Sequence, residues 1–114
     1  MMTAINTPVW SAIASWYSVE ACKYNKDNKC PTASGRSLYD LEKRGISFCA
    51  SNDYQLGTRI KVTNQANGKF TLVEVLDRGG FKKYGREVDL CKKAFSQIAD
   101  LKLGTINVTI EKEN

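Results

Sequence analysis

Two aspartates, Asp77 and Asp89, stand on either side of a glycine-rich, basic stretch, "VLDRGGFKKYGREVDLCKKAF", residues 75–95. Carboxyl groups matter here because the chain contains no histidine. That removes Ser-His-Asp and Cys-His catalysis, His-ligated zinc and imidazole proton shuttling together. Proton transfer has to run on carboxylates, cysteines, lysines, tyrosines or the backbone. Each aspartate also has an ordinary structural reading. Alternation in "REVDL" puts Val88 and Leu90 on one face and Glu87 and Asp89 on the other, and Asp89 precedes a helical pattern that a carboxylate could cap. Asp77 precedes Arg78-Gly79-Gly80 and could close an Asx-type turn.

The four cysteines, Cys22, Cys30, Cys49 and Cys91, form no Cys-x-x-Cys pair. Two disulfides in an oxidising compartment are expected, with three connectivities open; free thiols and a four-cysteine zinc site are the alternatives, and no metal or cofactor is expected. Net charge is +5, from 17 Lys and Arg against 12 Asp and Glu. An anionic partner fits that balance: nucleic acid, a membrane surface or an acidic polysaccharide. Nucleic acid is disfavoured, since the chain has neither a basic helix suited to a groove nor the aromatic signature of an RNA-binding sheet.

These groups need a scaffold, and the pattern for one runs from end to end. The segments "AIASWYS", "ISFCAS", "TRIKVTN", "FTLVEVLD", "REVDL" and "INVTIEKE" are rich in Val, Ile, Thr or aromatics and predict six short strands. An all-β barrel or sandwich follows. Between Lys61 and Leu76 the pattern is a hairpin, with Asn67-Gly68 supplying the positive backbone angles of a tight turn. One helix is predicted in "CKKAFSQIADL", where Phe95, Ile98 and Leu101 recur at three-residue steps, and "SLYDLEKRG" could add a helical turn ended by Gly45. At 114 residues the chain is expected to be a single domain over 1–114 with its core at about 13–112. No apolar run approaches the ~18 residues of a membrane span. The start, "MMTAINTPVWSAIASWYS", has no Lys or Arg before Lys23 and so lacks the features of a signal peptide. Nothing in the pattern signals oligomerisation, so a monomer is expected.

Several pieces together resemble the rare lipoprotein A (RlpA)-like family. They are "ASWYS", "TASG" at Thr32 to Gly35, "LGTRIKVTN" at Leu56 to Asn64, "NGK", "VLDRGGF", "GREVDLCKKAF" and "GTINVTIE", in order from Ala14. The resemblance implies a six-stranded double-psi β-barrel, mainly β with one short helix near the C-terminus, related in outline to expansins and barwin-like endoglucanases. It also implies a shallow groove for a polysaccharide and, in members that are enzymes, lytic transglycosylase action on peptidoglycan glycan strands. The alternative within the same resemblance is an expansin-like module that binds or loosens the wall without breaking bonds.

By the same resemblance, Asp77 matches the aspartate of an Asp-Arg-Gly motif implicated in catalysis and is expected to be the acid/base, with Asp89 supporting it. Arg36, Ser51, Arg78, Phe81, Tyr84 and Arg86 become candidate substrate-binding residues, with Lys82 and Lys83 on the same basic rim and Trp16 and Tyr17 as further faces for sugar rings. Two positions depart from the catalytic members: Arg36 replaces a glutamate after "TASG", and Cys49-Ala50-Ser51 replaces Ala-Ala-His. Arg36 would favour ionisation of a nearby aspartate. Cys49 and Cys91 replace a common alanine and serine on neighbouring strands, which suggests a Cys49–Cys91 bridge and leaves Cys22–Cys30 to staple the segment between them. Both bridges would place the protein outside the cytoplasm, on or near the wall.

Overall fold

The computed structural model describes residues 9–21 and 30–113. Six strands form: β1 (Val9–Tyr17), β2 (Phe48–Ser51), β3 (Arg59–Asn64), β4 (Phe70–Asp77), β5 (Val88–Cys91) and β6 (Ile106–Lys112). They close into one barrel in the order β1-β5-β2-β4-β3-β6. The pairs β1–β5 and β2–β4 are parallel and the other four antiparallel. Alternation builds the interior: Ile60 and Val62 on β3 and Val108 and Ile110 on β6 are buried while their neighbours are not. All six predicted strands are present.

Among the described residues, two α-helices cover the barrel. α1 (Leu38–Lys43) is the helical turn expected from "SLYDLEKRG"; Ser37 caps it by accepting the Asp40 N–H, and Gly45, at φ +69°, turns the chain away. α2 (Lys92–Ile98) buries Ala94, Phe95 and Ile98 against β4, β5 and β1. The last carbonyl of α2 would be an orphan at a helix end. Instead Ile98 O accepts from Asn64 Nδ2 at 2.7 Å and Asn67 Nδ2 at 3.0 Å. That use of Asn67 changes the hairpin. The β3–β4 loop is five residues, Gln65 to Lys69, and of Asn67 and Gly68 only Gly68 takes a positive φ, so the expected two-residue turn is replaced by a longer one that reaches α2. No helix among the described residues is long and apolar enough to cross a membrane.

The expected Cys49–Cys91 bridge is not formed: both are free, buried thiols. Register explains it. Cys49 pairs with Leu90, so Cys91 sits one step further along β5, and adjacent residues on a strand project to opposite faces. On its own face the Cys91 Sγ accepts the Phe48 N–H at 3.4 Å. Cys22 belongs to residues 22–29, and the expected Cys22–Cys30 pairing therefore lies outside the described residues.

Candidate active site

Ala50 on β2 organises the site. It faces Asp89 of β5 on one side and Asp77 of β4 on the other. The second pairing depends on a slip in register: Cys49 pairs with Val75, yet the next residue, Ala50, pairs with Asp77, leaving Leu76 as an extra residue. The burial of β4 shows the consequence, alternating through Thr71, Val73 and Val75 and then reversing, with Leu76 buried and Asp77 half-exposed. Without the bulge Asp77 would share the core-facing parity of Val75. With it, both carboxyls project on one side of the sheet.

They project into a groove of about 400 Å³. Tyr17 and Ala50 line it together with the two aspartates, Gly79 and Gly80 form part of its wall, and Arg78, Lys83 and Arg86 supply positive charge. A smaller recess of about 140 Å³ continues past Tyr17 and Asp77 toward Thr32 and Leu38.

The two carboxyls are held differently. Asp77 Oδ1 accepts the backbone N–H groups of Ala33 at 2.8 Å and Arg78 at 2.9 Å, and Oδ2 accepts the Tyr17 hydroxyl at 3.0 Å. The Asx-type turn expected for Asp77 is not formed, since the Gly79 N–H goes to Asn52 Oδ1; Asp77 instead bonds across 44 residues and pins the "TASG" loop to the groove. Asp89 does not cap α2, whose N-cap is Cys91. Its Oδ1 accepts the Ser15 hydroxyl at 2.8 Å, and Ser15 in turn accepts Arg86 Nη1 at 3.1 Å. Burial raises the pKa of Asp89 above the ordinary carboxyl value, with the Asp77 charge adding to the rise, while Ser15 and Arg86 act against it. Burial, with Asp77 beside it, pushes Tyr17 far above the ordinary phenol range, so its hydroxyl keeps its proton. The Tyr17 ring meets Phe48 edge-on, centroids 6.0 Å apart.

Other sequence candidates sit elsewhere. Arg36 is exposed, and among the described residues its side chain makes no hydrogen bond or ion pair with either aspartate; the cation that acts on Asp89 is Arg86. Ser51 is 2% exposed and its Oγ accepts the Asp53 N–H, so it serves its own turn. Arg78 touches the groove, but its Nη1 donates to the carbonyls of Ser51 and Tyr54, the latter at 2.6 Å. Lys82 is paired with Asp53. Trp16 packs on the core and donates its indole N–H to Leu101 O at 3.0 Å. The backbone of Phe81 and Tyr84 forms a 3-10 turn, and their side chains lie outside what is described. Ser15 was missed by sequence reasoning. Alternation in "ASWYS" does place it on the face of Tyr17, and the parallel register sets it beside Asp89.

A closed six-stranded mixed barrel with two carboxyls in a groove across parallel-paired strands is a double-psi β-barrel. The chain belongs to the family whose model, described as lytic transglycolase, matches residues 10–110, and is an RlpA-like member of it. It is 37% identical over 101 residues to the endolytic peptidoglycan transglycosylase RlpA of Vibrio cholerae serotype O1, covering 89% of this chain and 34% of the relative. It is 34% identical over 98 residues to the enzyme of the same name from Rickettsia bellii, covering 86% of this chain and 40% of that one. The chain thus spans well under half the length of these relatives. Among solved structures, a variant of Clavibacter michiganensis expansin in complex with cellohexaose superposes with a TM-score of 0.65 at 19% identity, over 94% of this chain and 51% of the expansin. At that identity the likeness speaks for the fold alone.

Proposed function

We propose that the groove binds peptidoglycan glycan strands and cleaves them without water, as a lytic transglycosylase whose aspartates move the proton. The observation that carries this is the pair of carboxyls flanking Ala50 in unlike environments within one basic-rimmed groove. The names of the Vibrio and Rickettsia relatives support the choice of substrate and reaction. One carboxylic acid protonates the glycosidic oxygen as the C–O bond breaks. The resulting carboxylate takes the proton of the sugar's own primary hydroxyl as that oxygen closes on the anomeric carbon, and the acid is regenerated. Lys83 and Arg86 at the rim suit the lactyl carboxylates exposed on glycan strands stripped of their peptides. Action on the wall places the protein outside the cytoplasm.

A second reading, binding or loosening without cleavage, is favoured by one observation: where catalytic relatives carry glutamate and histidine, this chain has an exposed Arg36 and a buried Ser51 turned to its own backbone. Incubation with peptide-stripped glycan strands, followed by mass spectrometry, separates the two. Anhydro-muramyl ends, one water lighter than hydrolysis products, are expected. Retention on wall material with no product from a folded protein would overturn cleavage and leave the binding module.

A further inference from the structure

We propose that Asp89 is the residue that carries the proton in the groove, and that Tyr17 is the positioning residue that reserves Asp77 as its acceptor-only partner. This rests on the reading of the groove as a glycan-cleaving site, and it reverses the order of the two aspartates that the family resemblance implies. The argument is the distribution of donors. Both oxygens of Asp77 are taken: two backbone N–H groups point at Oδ1 and the Tyr17 hydroxyl at Oδ2. Backbone N–H groups cannot reverse their direction, so Oδ1 can only accept. Three donors thus converge on Asp77, one of them from a ring set edge-on against Phe48.

Asp89 is arranged the other way. Among the described residues only the Ser15 hydroxyl reaches it, at Oδ1. Among the described residues its Oδ2 has no protein donor and is not sealed in the interior, and Asp89 lines the groove where a glycosidic oxygen would lie. Ser15 can donate to the carboxylate or accept from the acid, with Arg86 Nη1 holding it in place, so one reversible donor on Asp89 stands against the two fixed N–H groups on Asp77. Among the described residues, the titratable and charged groups that share the groove with Asp89 or act on it are Asp77 from β4, Arg78 just after β4, Tyr17 from β1, Cys49 from β2, and Lys83 and Arg86 from the segment before β5. Burial and Asp77 favour the protonated form of Asp89, and Arg86 and Ser15 oppose them. A carboxyl raised by burial, held by one reversible donor on the wall of the groove, is the acid of the pair.

The experiment is a carboxyl-carbon NMR titration of the intact chain in wild type, Asp77→Asn and Tyr17→Phe, with no glycan present. Wild-type Asp89 is expected to titrate above the ordinary aspartate value. Its midpoint should move down in Asp77→Asn, where the like charge is gone, and down by less in Tyr17→Phe, where only the donor to Asp77 is lost. Tyr17→Phe keeps the ring on Phe48 and reads the same coupling should Asp77→Asn fail to fold. A wild-type midpoint at or below the ordinary value, or one that neither variant moves, would overturn the proposal. Because no substrate is used, the assignment and the enzymatic reading fail separately: a raised, Asp77-dependent midpoint without anhydro product supports the first and sinks the second. In an active protein, the alkaline limb of the pH–rate profile should follow the Asp89 midpoint in all three forms; a limb that stays put while the midpoint moves would count against Asp89 as the donor.

Discussion

Ala50 lies between the two aspartates, opposite Asp77 on one neighbouring strand and opposite Asp89 on the other. Strands in a sheet are about 4.8 Å apart, so the carboxyl-bearing backbones are separated by roughly 10 Å with a single methyl group between them. The floor of the groove is therefore low where the reacting bond would sit. A small side chain at this point is what keeps the pair accessible to a ligand as wide as a sugar.

Ala50→Leu should consequently fill the groove from below. Ala50 is 2% exposed, so the larger side chain is expected to cost about 1–3 kcal/mol by overpacking. Circular dichroism should show a folded barrel with a lowered urea midpoint, and retention on insoluble glycan should be lost. Undiminished retention would mean the ligand does not pass over Ala50.

Asp89→Asn should trade activity for stability. The folded-state pKa of Asp89 is raised, chiefly by burial. A raised carboxyl contributes stability that is fully present below its unfolded value and lost as pH rises through its folded value. The amide removes that loss, so the variant should exceed wild type in urea midpoint at neutral pH, and the difference should vanish toward pH 3. Product formation should fall by about 10²- to 10⁴-fold, the usual contribution of a positioned acid. An equal shift in stability at both pH values would show that the carboxyl is not the cause.

Much of this scaffold is legible from local pattern. The six strands are marked by their Val, Ile, Thr and aromatic content, α2 by its three-residue steps, and "REVDL" already directs Asp89 away from the core side of Val88 and Leu90. The face of Asp77 is not legible. Counting by twos along "TLVEVLD" puts it with Val73 and Val75, and the bulge that reverses it lies in the pairing of Cys49 and Ala50 with another strand. The cysteines fail for the same kind of reason. Cys49 and Cys91 do lie on neighbouring strands, but the one-residue offset that separates their faces is a property of register. Arg36 and Ser51 match family positions along the chain, whereas their side chains answer to local turns.

The two thiols should behave as inert core groups. Burial raises both Cys49 and Cys91 above the ordinary thiol value, which keeps them protonated and unreactive near neutral pH. Iodoacetamide applied to the native protein, followed by peptide mass mapping, should leave both unlabelled, and addition of urea should expose both. A Cys49–Cys91 crosslinked peptide in material prepared without reductant would contradict the register described above.

Arg78 is expected to act as a strut more than as a ligand-binding residue. Its Nη1 donates to the carbonyls of Ser51 and Tyr54, while Asn52 and Gly79 bond each other in both directions through the Asn52 amide and Lys82 pairs with Asp53. These contacts tie the loop after β2 to the loop after β4 and form one wall of the groove, next to Asp77. Arg78→Ala removes two charge-assisted bonds at a partly solvated site, for which a loss of about 1–2 kcal/mol is expected. In a domain of this size that corresponds to a fall in Tm of roughly 4–15 °C. Retention on glycan, measured well below the new Tm across a salt series, separates the roles. Loss of a direct contact to a glycan carboxylate would flatten the salt dependence of retention, whereas loss of a strut lowers stability and leaves that dependence set by Lys83 and Arg86. A flattened salt response with an unchanged Tm would return Arg78 to the ligand-binding set.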